Sequence, residues 1–389
     1  MSQEPGNADF GYWPRQLYLI GCVLGNIFTS YTRTIIYSQK AESFQGCGLK
    51  DFDKPWCGTL LMALGMTLGN IVYKLMLKFS KDPNPPFNKI HFSLYLHALF
   101  PAALDIIFSV LYSIAILLIG SVFATLLRFC DIVFATFLRR FWLKQKLLPY
   151  SYISLGIIMV GVIMTSISIA YDELTDSKFQ YNSKFFAALI FQILAQLASS
   201  VKAIREEQLL HQNDIHPVWL CGVEGAYELL ILLFMAFPIL RIMPERFGAG
   251  LVENFCEDFK MIGSSKILIA YSIIYPIIAL EYNACVFGVQ FTANAVQFIV
   301  TDIFVGSLSW FFDLFIYYAM KNTLFGLTPN DVGTKWNKRS PLRLVGIIII
   351  FIGSLLYTKV VKLRWFRYEE SDVKVFKVKE SSDGITMMV

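Results

Sequence analysis

The 389-residue sequence contains few charged residues and very few histidines. Charged residues make up 16% of the chain and only 4 residues are histidine, whereas an average soluble domain has roughly 25% charged residues. Hydrophobic residues make up 56%, and the mean hydropathy is +0.54. This balance excludes an ordinary soluble globular protein. It favours a bundle of membrane helices without a separate soluble domain.

The sequence also lacks the motifs of catalysis and of cofactor binding. It contains no Gly-x-Ser-x-Gly elbow, no cluster with the spacing of metal ligands and no glycine-rich phosphate loop. We therefore expect no enzyme activity, no cofactor and no metal site. The net charge of +5 comes from basic residues near predicted helix ends and in the tail. That distribution is typical of membrane topology signals and not of a nucleic-acid surface.

The 7 cysteines do not have the density of a disulfide scaffold. Four of them lie in apolar runs, where a thiol packs as a small hydrophobic group: Cys22, Cys130, Cys221 and Cys285. The other three lie in predicted loops on the non-cytosolic side: Cys47, Cys57 and Cys256. The sequence leaves open one disulfide among these three.

Long apolar runs predict ten membrane-spanning helices. A span needs about 20 mostly apolar residues, and backbone groups in lipid must be hydrogen-bonded within the protein. The predicted spans are 16–38, 56–78, 95–117, 119–143, 149–171, 184–209, 217–240, 266–289, 291–320 and 341–361. We expect a break around Gly120–Ser121 between the third and fourth spans, and another around Gln290 between the eighth and ninth.

The chain divides into two halves with similar hydropathy. Asp131-Ile132 and Asp302-Ile303 occupy related places, and each is followed by a basic segment and a glycine-interrupted apolar helix. Five helices per half would make the halves inverted repeats, as in many transporters. The predicted segments are a cytosolic N-terminal segment 1–14, a first repeat 15–171, a connector 172–183, a second repeat 184–361 and a cytosolic tail 362–389.

Polar residues recur at helical spacing inside several predicted spans. Such residues are costly in a membrane and usually face a partner or a water-filled cavity. The polar faces contain Asn26 with Arg33, Asp105, Arg128, Glu224 with Glu228, and Gln297 with Asp302. They predict a central cavity. The alternatives are local: Arg33 could extend to the interface, Lys202 and Glu206 could form an interfacial ion pair, and Glu228 and Asp313 could lie near an interface.

An ordered set of segments resembles the F branch of solute carrier family 35, within the drug/metabolite transporter superfamily that also contains the chloroquine-resistance-type transporters. The main pattern is Arg205-Glu206-Glu207, His216-Pro217 and Gly222-Val223-Glu224-Gly225. Further similar positions are Pro86-Phe87-Asn88, Pro101, Asp105, Arg128, Asn283, Asp302 and Trp310. The resemblance covers about residues 15–361.

The resemblance implies an all-α fold with ten transmembrane helices as two inverted five-helix repeats, with both termini cytosolic and alternating access. It also implies an endomembrane such as the Golgi, ER, lysosome or vacuole. The carried-over cavity or gating residues are Asp105, Glu207, Glu224, Asn283 and Asp302, with Arg128 as the cavity base. Asn26, Arg33 and Gln297 complete the candidate set from the polar faces.

The balance of acids and bases favours one class of substrate. Candidate cavity acids outnumber the candidate bases Arg33 and Arg128, which favours a cationic or zwitterionic solute, or else a proton as the coupling ion. Relatives often carry basic residues in the ninth span, where this chain has Phe298 and Val305.

We therefore predict a secondary transporter of a small organic solute, with the lipid bilayer as its other partner and no nucleic acid. A nucleotide-sugar transporter or exchanger and a non-transporting scaffold or receptor-like protein are the alternatives. A homodimer is left open.

Overall fold

The computed structural model is a bundle of α-helices with one short β-hairpin. It describes residues 15–37, 39–42, 49–52, 54–79, 92–127, 129–144, 148–174, 183–242, 253–319 and 333–365. The predicted N-terminal segment and almost all of the predicted tail lie outside these residues. So do the predicted cavity base Arg128 and the segment Pro86-Phe87-Asn88.

The first half contributes five helices and the hairpin. They are α1 (Arg15–Tyr37), β1 (Lys40–Glu42), β2 (Leu49–Asp51), α2 (Pro55–Phe79), α3 (Phe92–Leu126), α4 (Phe129–Phe141) and α5 (Pro149–Leu174). The two strands pair antiparallel, with Ala41 opposite Lys50. Helix α5 takes up residues 172–174, which were predicted to belong to the connector.

The second half contributes the remaining helices. They are α6 (Ser183–Asn213), α7 (Pro217–Ile231), a π-helical turn (Leu232–Ala236), α8 (Phe237–Ile242), α9 (Phe255–Ser264), α10 (Lys266–Thr292), α11 (Ala295–Ala319) and α12 (Ser340–Tyr357). Within the described residues, nine helical segments are long and apolar enough to cross a membrane, with α7, the π turn and α8 forming one of them. Ten spans and inverted repeats remain predictions.

The predicted boundary between the third and fourth spans is wrong. Helix α3 continues through Gly120–Ser121 for 35 residues in all, and α4 contains only 13 residues. A helix of that length measures about 20 Å, which is less than the roughly 30 Å hydrocarbon core. Glycine and serine are tolerated within apolar membrane helices, so this pair does not end α3.

The predicted break around Gln290 lies slightly later in the chain. Helix α10 runs through Gln290 to Thr292, and α11 starts at Ala295. The Asn294 side chain caps the N-terminus of α11, because its Oδ1 accepts a hydrogen bond from the Gln297 amide at 2.8 Å. This is the usual capping role of asparagine at a helix N-terminus.

The most extensive helix pairs each join the two halves: α5 with α12, α3 with α6, α2 with α7, and α1 with α10. Several crossings depend on glycine, including the following two. At the α5–α12 crossing, a Cβ on Gly161 or Gly346 would collide with the backbone of the opposite helix. At the crossing of α2 and α10, a Cβ on Gly65 would collide with the Pro276 carbonyl. Small residues allow this close approach of membrane helices.

One end of the bundle is covered by α9 and the hairpin. The Glu42 amide donates to Ser264 Oγ at 3.2 Å, which ties β1 to α9. Met261 of α9 packs in a core cluster with Phe52 and Cys57 near the start of α2. We call the segment from Glu253 to Ser264 the α9 cap.

Candidate functional site

Five charged residues of α3, α6 and α7 meet inside the bundle. We call them the acid cluster: Asp105, Lys202, Glu206, Glu224 and Glu228. Lys202 and Glu206 are four residues apart on α6, as Glu224 and Glu228 are on α7, so each pair shares a helix face. The helices bring these two faces against Asp105 of α3. The cluster therefore holds four carboxyl groups and a single ammonium group.

Lys202 bonds to the neighbouring helix as well as to its own. Its Nζ lies 2.6 Å from Asp105 Oδ1 and 3.5 Å from Glu206 Oε1. The other oxygen of Glu206 accepts a hydrogen bond from Gln290 Nε2 of α10 at 2.8 Å. The predicted Lys202–Glu206 pair exists, but it belongs to a buried network and not to an isolated interfacial contact.

Glu224 and Glu228 are fully buried, with 0% exposure. The side chain of Glu228 is therefore enclosed by protein, and whether it lies near a membrane interface stays a prediction. All four of their carboxyl oxygens lack a hydrogen-bond donor in the part of the chain that the structure describes. Each interacts with another carboxyl group as well as with Lys202: Glu224 with Glu206, and Glu228 with Asp105. Two carboxyl groups can hydrogen-bond only when one of them carries a proton.

Helix α7 is held in place at its N-terminus and along its contact with α2. At the N-terminus, His216 Nδ1 accepts from the Val218 amide at 3.2 Å. Pro217 occupies the first turn, where its missing amide hydrogen has no partner to lose. On the α2 side, Asn70 Nδ2 donates to the Gly222 carbonyl at 2.6 Å. The His-Pro and Gly-x-Glu-Gly parts of the sequence pattern thus position the two buried glutamates.

A second polar group joins α1, α10 and α11. Asn26 Nδ2 donates to Asp302 Oδ1 at 2.7 Å and lies 3.3 Å from the Tyr282 hydroxyl. Tyr282 also donates to Asp302 Oδ1, at 3.3 Å. One predicted pair, Asn26 and Asp302, is therefore brought together directly. Tyr282 was not predicted, because its contact with Asp302 depends on the packing of α10 against α11.

The remaining predicted residues take separate places. Arg33 donates to the Tyr275 hydroxyl at 2.7 Å. Glu207 accepts from the Ala295 amide at 2.9 Å and lies 3.8 Å from Arg139, so it caps α11. Gln297 Oε1 accepts from Arg15 at 3.1 Å. Asn283 donates to the Ala279 carbonyl of its own helix at 2.8 Å.

Sequence reasoning undervalued two further groups. Lys202 and Glu206 carried the required signal, since two opposite charges at i and i+4 within an apolar run imply a buried partner. Asp131 was seen, but its partners were not: its carboxylate accepts from Ser199 at 3.1 Å and also from Ser200. Adjacent serines on α6 gave no pattern that could have identified this contact.

The α9 cap carries its own charges outside the membrane-spanning helices. Glu253 accepts from the Trp56 and Cys57 amides at 2.9 and 3.1 Å and so caps α2. Lys54 Nζ lies 3.4 Å from Asp258. Burial, followed by the Asp258 charge, raises the pKa of Glu253 to about 8. Burial also raises the pKa of Asp258 to about 6, although Lys54 acts in the opposite direction.

The described residues contain no group of three or more histidine, cysteine, aspartate or glutamate side chains arranged to hold a metal ion. Cys57 and Cys256 are both free thiols, and Cys47 lies outside the described residues.

Comparisons with known proteins agree on the class of protein. The EamA-like transporter family matches residues 55–167. A crystal structure described only as "Crystal structure of protein" has the same fold, with a TM-score of 0.52 and 11% identity over 89% of this chain and 97% of its own. The fold and the apolar helices define a multi-pass membrane protein, part of which is similar to the EamA-like transporter family.

More specific matches come from curated relatives. "Solute carrier family 35 member F6" of Rattus norvegicus is 24% identical over 365 residues, covering 88% of both chains. The proteins of the same name from Mus musculus and Homo sapiens are 24% and 23% identical over the same length. Together with the EamA match, these relatives support the placement of this chain in the F branch of solute carrier family 35, as its sequence pattern predicted.

Proposed function

We propose that this protein is a secondary active transporter that moves a small polar organic solute across an endomembrane by alternating access. Its solute is cationic or zwitterionic, and protons drive its movement. In the cycle that we propose, one half of the bundle rocks against the other. The helix pairs that join the halves are the contacts that would change in such a motion.

The charge balance of the acid cluster is the observation that carries this proposal. Four carboxyl groups face one ammonium group at 2.6 Å from the nearest carboxylate, and two of the acids are fully buried. Several uncompensated charges in a low-dielectric interior would be very costly. Protons or a cationic solute would neutralise the carboxylates and remove that cost. The cluster is therefore suited to bind protons and a cationic solute in turn.

An anionic solute fits these residues less well. A nucleotide sugar requires basic groups for its phosphates, and Arg33 is the one predicted cavity base within the described residues. It donates to Tyr275 and lies on α1, outside the acid cluster. Phe298 and Val305 of α11 offer no charge where relatives often carry bases. A nucleotide-sugar transporter remains the second candidate for the transport class.

A non-transporting scaffold is the candidate from another class. Asn26, Tyr282 and Asp302 bond to one another, and such mutual bonds also suit helices that are packed permanently. This candidate predicts that no solute binds. The same experiment therefore tests both candidates.

The solute class can be tested by ligand stabilisation of the purified protein. The panel would contain nucleotide sugars, amino acids, peptides and organic cations, and the melting temperature would be measured for each. We expect cations or zwitterions to raise it for the wild type and for Lys74→Ala, a change of an exposed lysine on α2, but less for Glu228→Gln. Stabilisation by nucleotide sugars alone would contradict the proposed solute class, and stabilisation by none would favour the scaffold.

A further inference from the structure

Lys202 is the only cation in the acid cluster, and its position resembles that of a bound ligand. Its ammonium group donates toward Asp105 and Glu206, and it interacts electrostatically with Glu228 and Glu224 as well. An ammonium group has three donors that can each reach a different acceptor. The cluster thus already recognises one primary alkylammonium group, supplied by the protein's own chain.

The cluster has more acceptors than Lys202 can satisfy. Both oxygens of Glu224 and both oxygens of Glu228 lack a hydrogen-bond donor in the described part of the chain, although both side chains are completely buried. A buried carboxyl group without a donor is costly. Both carboxyl groups interact electrostatically with the same ammonium group, so their oxygens are acceptors available to a second positive group or to Lys202 after a shift of its side chain.

Lys202 is also the most accessible member of its ion pairs. Its side chain is 17% exposed, against 9% for Asp105 and 2% for Glu206. A small cavity near the start of α2 lies one helical turn away and is lined by Thr59, Ser109 and Leu232. Ser109 follows Asp105 by four residues on α3, and Leu232 follows Glu228 by four. The cavity thus adjoins the cluster through the next turns of α3 and α7. It has room for about one water molecule, so a solute would have to widen it to meet the ammonium group.

We propose that Lys202 is a tethered competitor: its ammonium group fills the acid cluster when the site is empty, and a primary alkylammonium group of the solute displaces it to reach Glu224 and Glu228. This inference rests on the proposed function and names its substrate class as primary amines. The absence of a metal-binding group among the described residues argues against a metal ion as the displacing cation.

A chemical-rescue experiment tests the displacement. In Lys202→Ala the tethered ammonium group is gone, so free n-butylammonium, which matches the lysine side chain, should bind in its place. We expect the variant to bind n-butylammonium at least about tenfold more tightly than the wild type, because a tethered competitor acts at a high effective concentration. Binding would be measured by calorimetry and by the rise in melting temperature of the purified protein.

Matched controls decide the outcome. Lys74→Ala should bind n-butylammonium no better than the wild type, and neutral n-butanol should not bind Lys202→Ala. Adding Glu228→Gln to Lys202→Ala should remove most of the gain. Equal affinities of wild type and Lys202→Ala, or a gain that survives Glu228→Gln together with Glu224→Gln, would overturn the proposal.

A second variant covers the case in which Lys202→Ala does not fold. Lys202→Met combined with Glu206→Gln removes one positive and one negative charge together, so the cluster keeps its net charge. The same tenfold gain is expected and its absence has the same meaning. Because binding is measured without transport, vesicles could fail to couple uptake to protons while this proposal holds. Conversely, uptake could be coupled to protons while wild type and Lys202→Ala bind n-butylammonium equally. That result would overturn this proposal and leave the proposed function standing.

Discussion

Two asparagines that sequence reasoning treated alike have different roles. Asn26 donates across a helix interface to Asp302 at 2.7 Å, whereas Asn283 donates to the Ala279 carbonyl one turn earlier on its own helix. Both lie within apolar runs, although only Asn26 shares a polar helix face, with Arg33. Their hydrogen bonds differ because of the neighbouring helix, which the sequence does not specify.

This contrast gives a prediction at the scale of single residues. Asn26→Ala should destabilise the protein by about 1 kcal/mol, a typical value for an interhelical hydrogen bond in a membrane protein, and should lower solute uptake. Asn283→Ala should change both quantities less, because a local bond to a helix carbonyl adds little. Thermal unfolding in detergent and uptake into vesicles would measure the two effects. Equal losses in both variants would contradict the assignment.

At the scale of helices, close crossings are set by positions that lack a side chain. A Cβ at Gly65 would collide with the Pro276 carbonyl of α10, whereas a Cβ at Gly156 would meet nothing within 4 Å. Both glycines lie in apolar helices of the first half. Their difference follows from the α2–α10 crossing and is invisible in the sequence.

Gly65→Ala should therefore be much more harmful than Gly156→Ala. Backbone atoms cannot move aside as a flexible side chain can, and we expect Gly65→Ala to cost about 1–3 kcal/mol, as overpacking does in other cores. Gly156→Ala should leave the melting temperature unchanged or slightly raised, because alanine favours the helix. A similar fall in melting temperature for both variants would show that the α2–α10 crossing is wrongly placed.

The α9 cap gives a second prediction at this scale, and it concerns pH. The pKa values of Glu253 and Asp258 are raised to about 8 and about 6 from ordinary values of 4.5 and 3.8. The docked cap therefore binds protons more tightly than a released cap. Docking should strengthen as the pH falls below 8 and weaken as the pH rises through 6 and then 8. The groups that face these acids are Lys54, Cys57 and Glu257.

The buried thiol of Cys57 reports on this docking. The quantity to measure is the ratio of its alkylation rate in the wild type to its rate in the double variant Glu253→Gln, Asp258→Asn. In this ratio the ordinary pH dependence of thiol reactivity cancels. The ratio should be near one below the ordinary pKa values of 3.8 and 4.5, rise as the pH increases toward 8, and level off above pH 8, because the cap loses stability between its released and docked pKa values. A ratio that does not change with pH would contradict this account of the cap.

At the scale of the whole molecule, the sequence predicted the membrane class, the similarity to solute carrier family 35 and most helix bounds. Long apolar runs predict membrane spans because backbone amides and carbonyls in lipid must be hydrogen-bonded within the protein, as they are in a helix. The boundary between α3 and α4 was missed because glycine and serine do not end a membrane helix. All five members of the acid cluster were named from the sequence, but only Asp105 and Glu224 were named as candidate cavity residues. Their convergence on Lys202 requires the packing of α3, α6 and α7.

The central claim is that these buried acids couple the movement of a cationic or zwitterionic solute to protons. The most direct measurement is uptake into reconstituted vesicles, with and without a pH gradient, of the solute that best stabilises the purified protein. We predict that the gradient accelerates uptake by the wild type, and that Glu228→Gln and Asp302→Asn each reduce this acceleration. The claim would be contradicted if the pH gradient did not change wild-type uptake and if neither variant changed uptake.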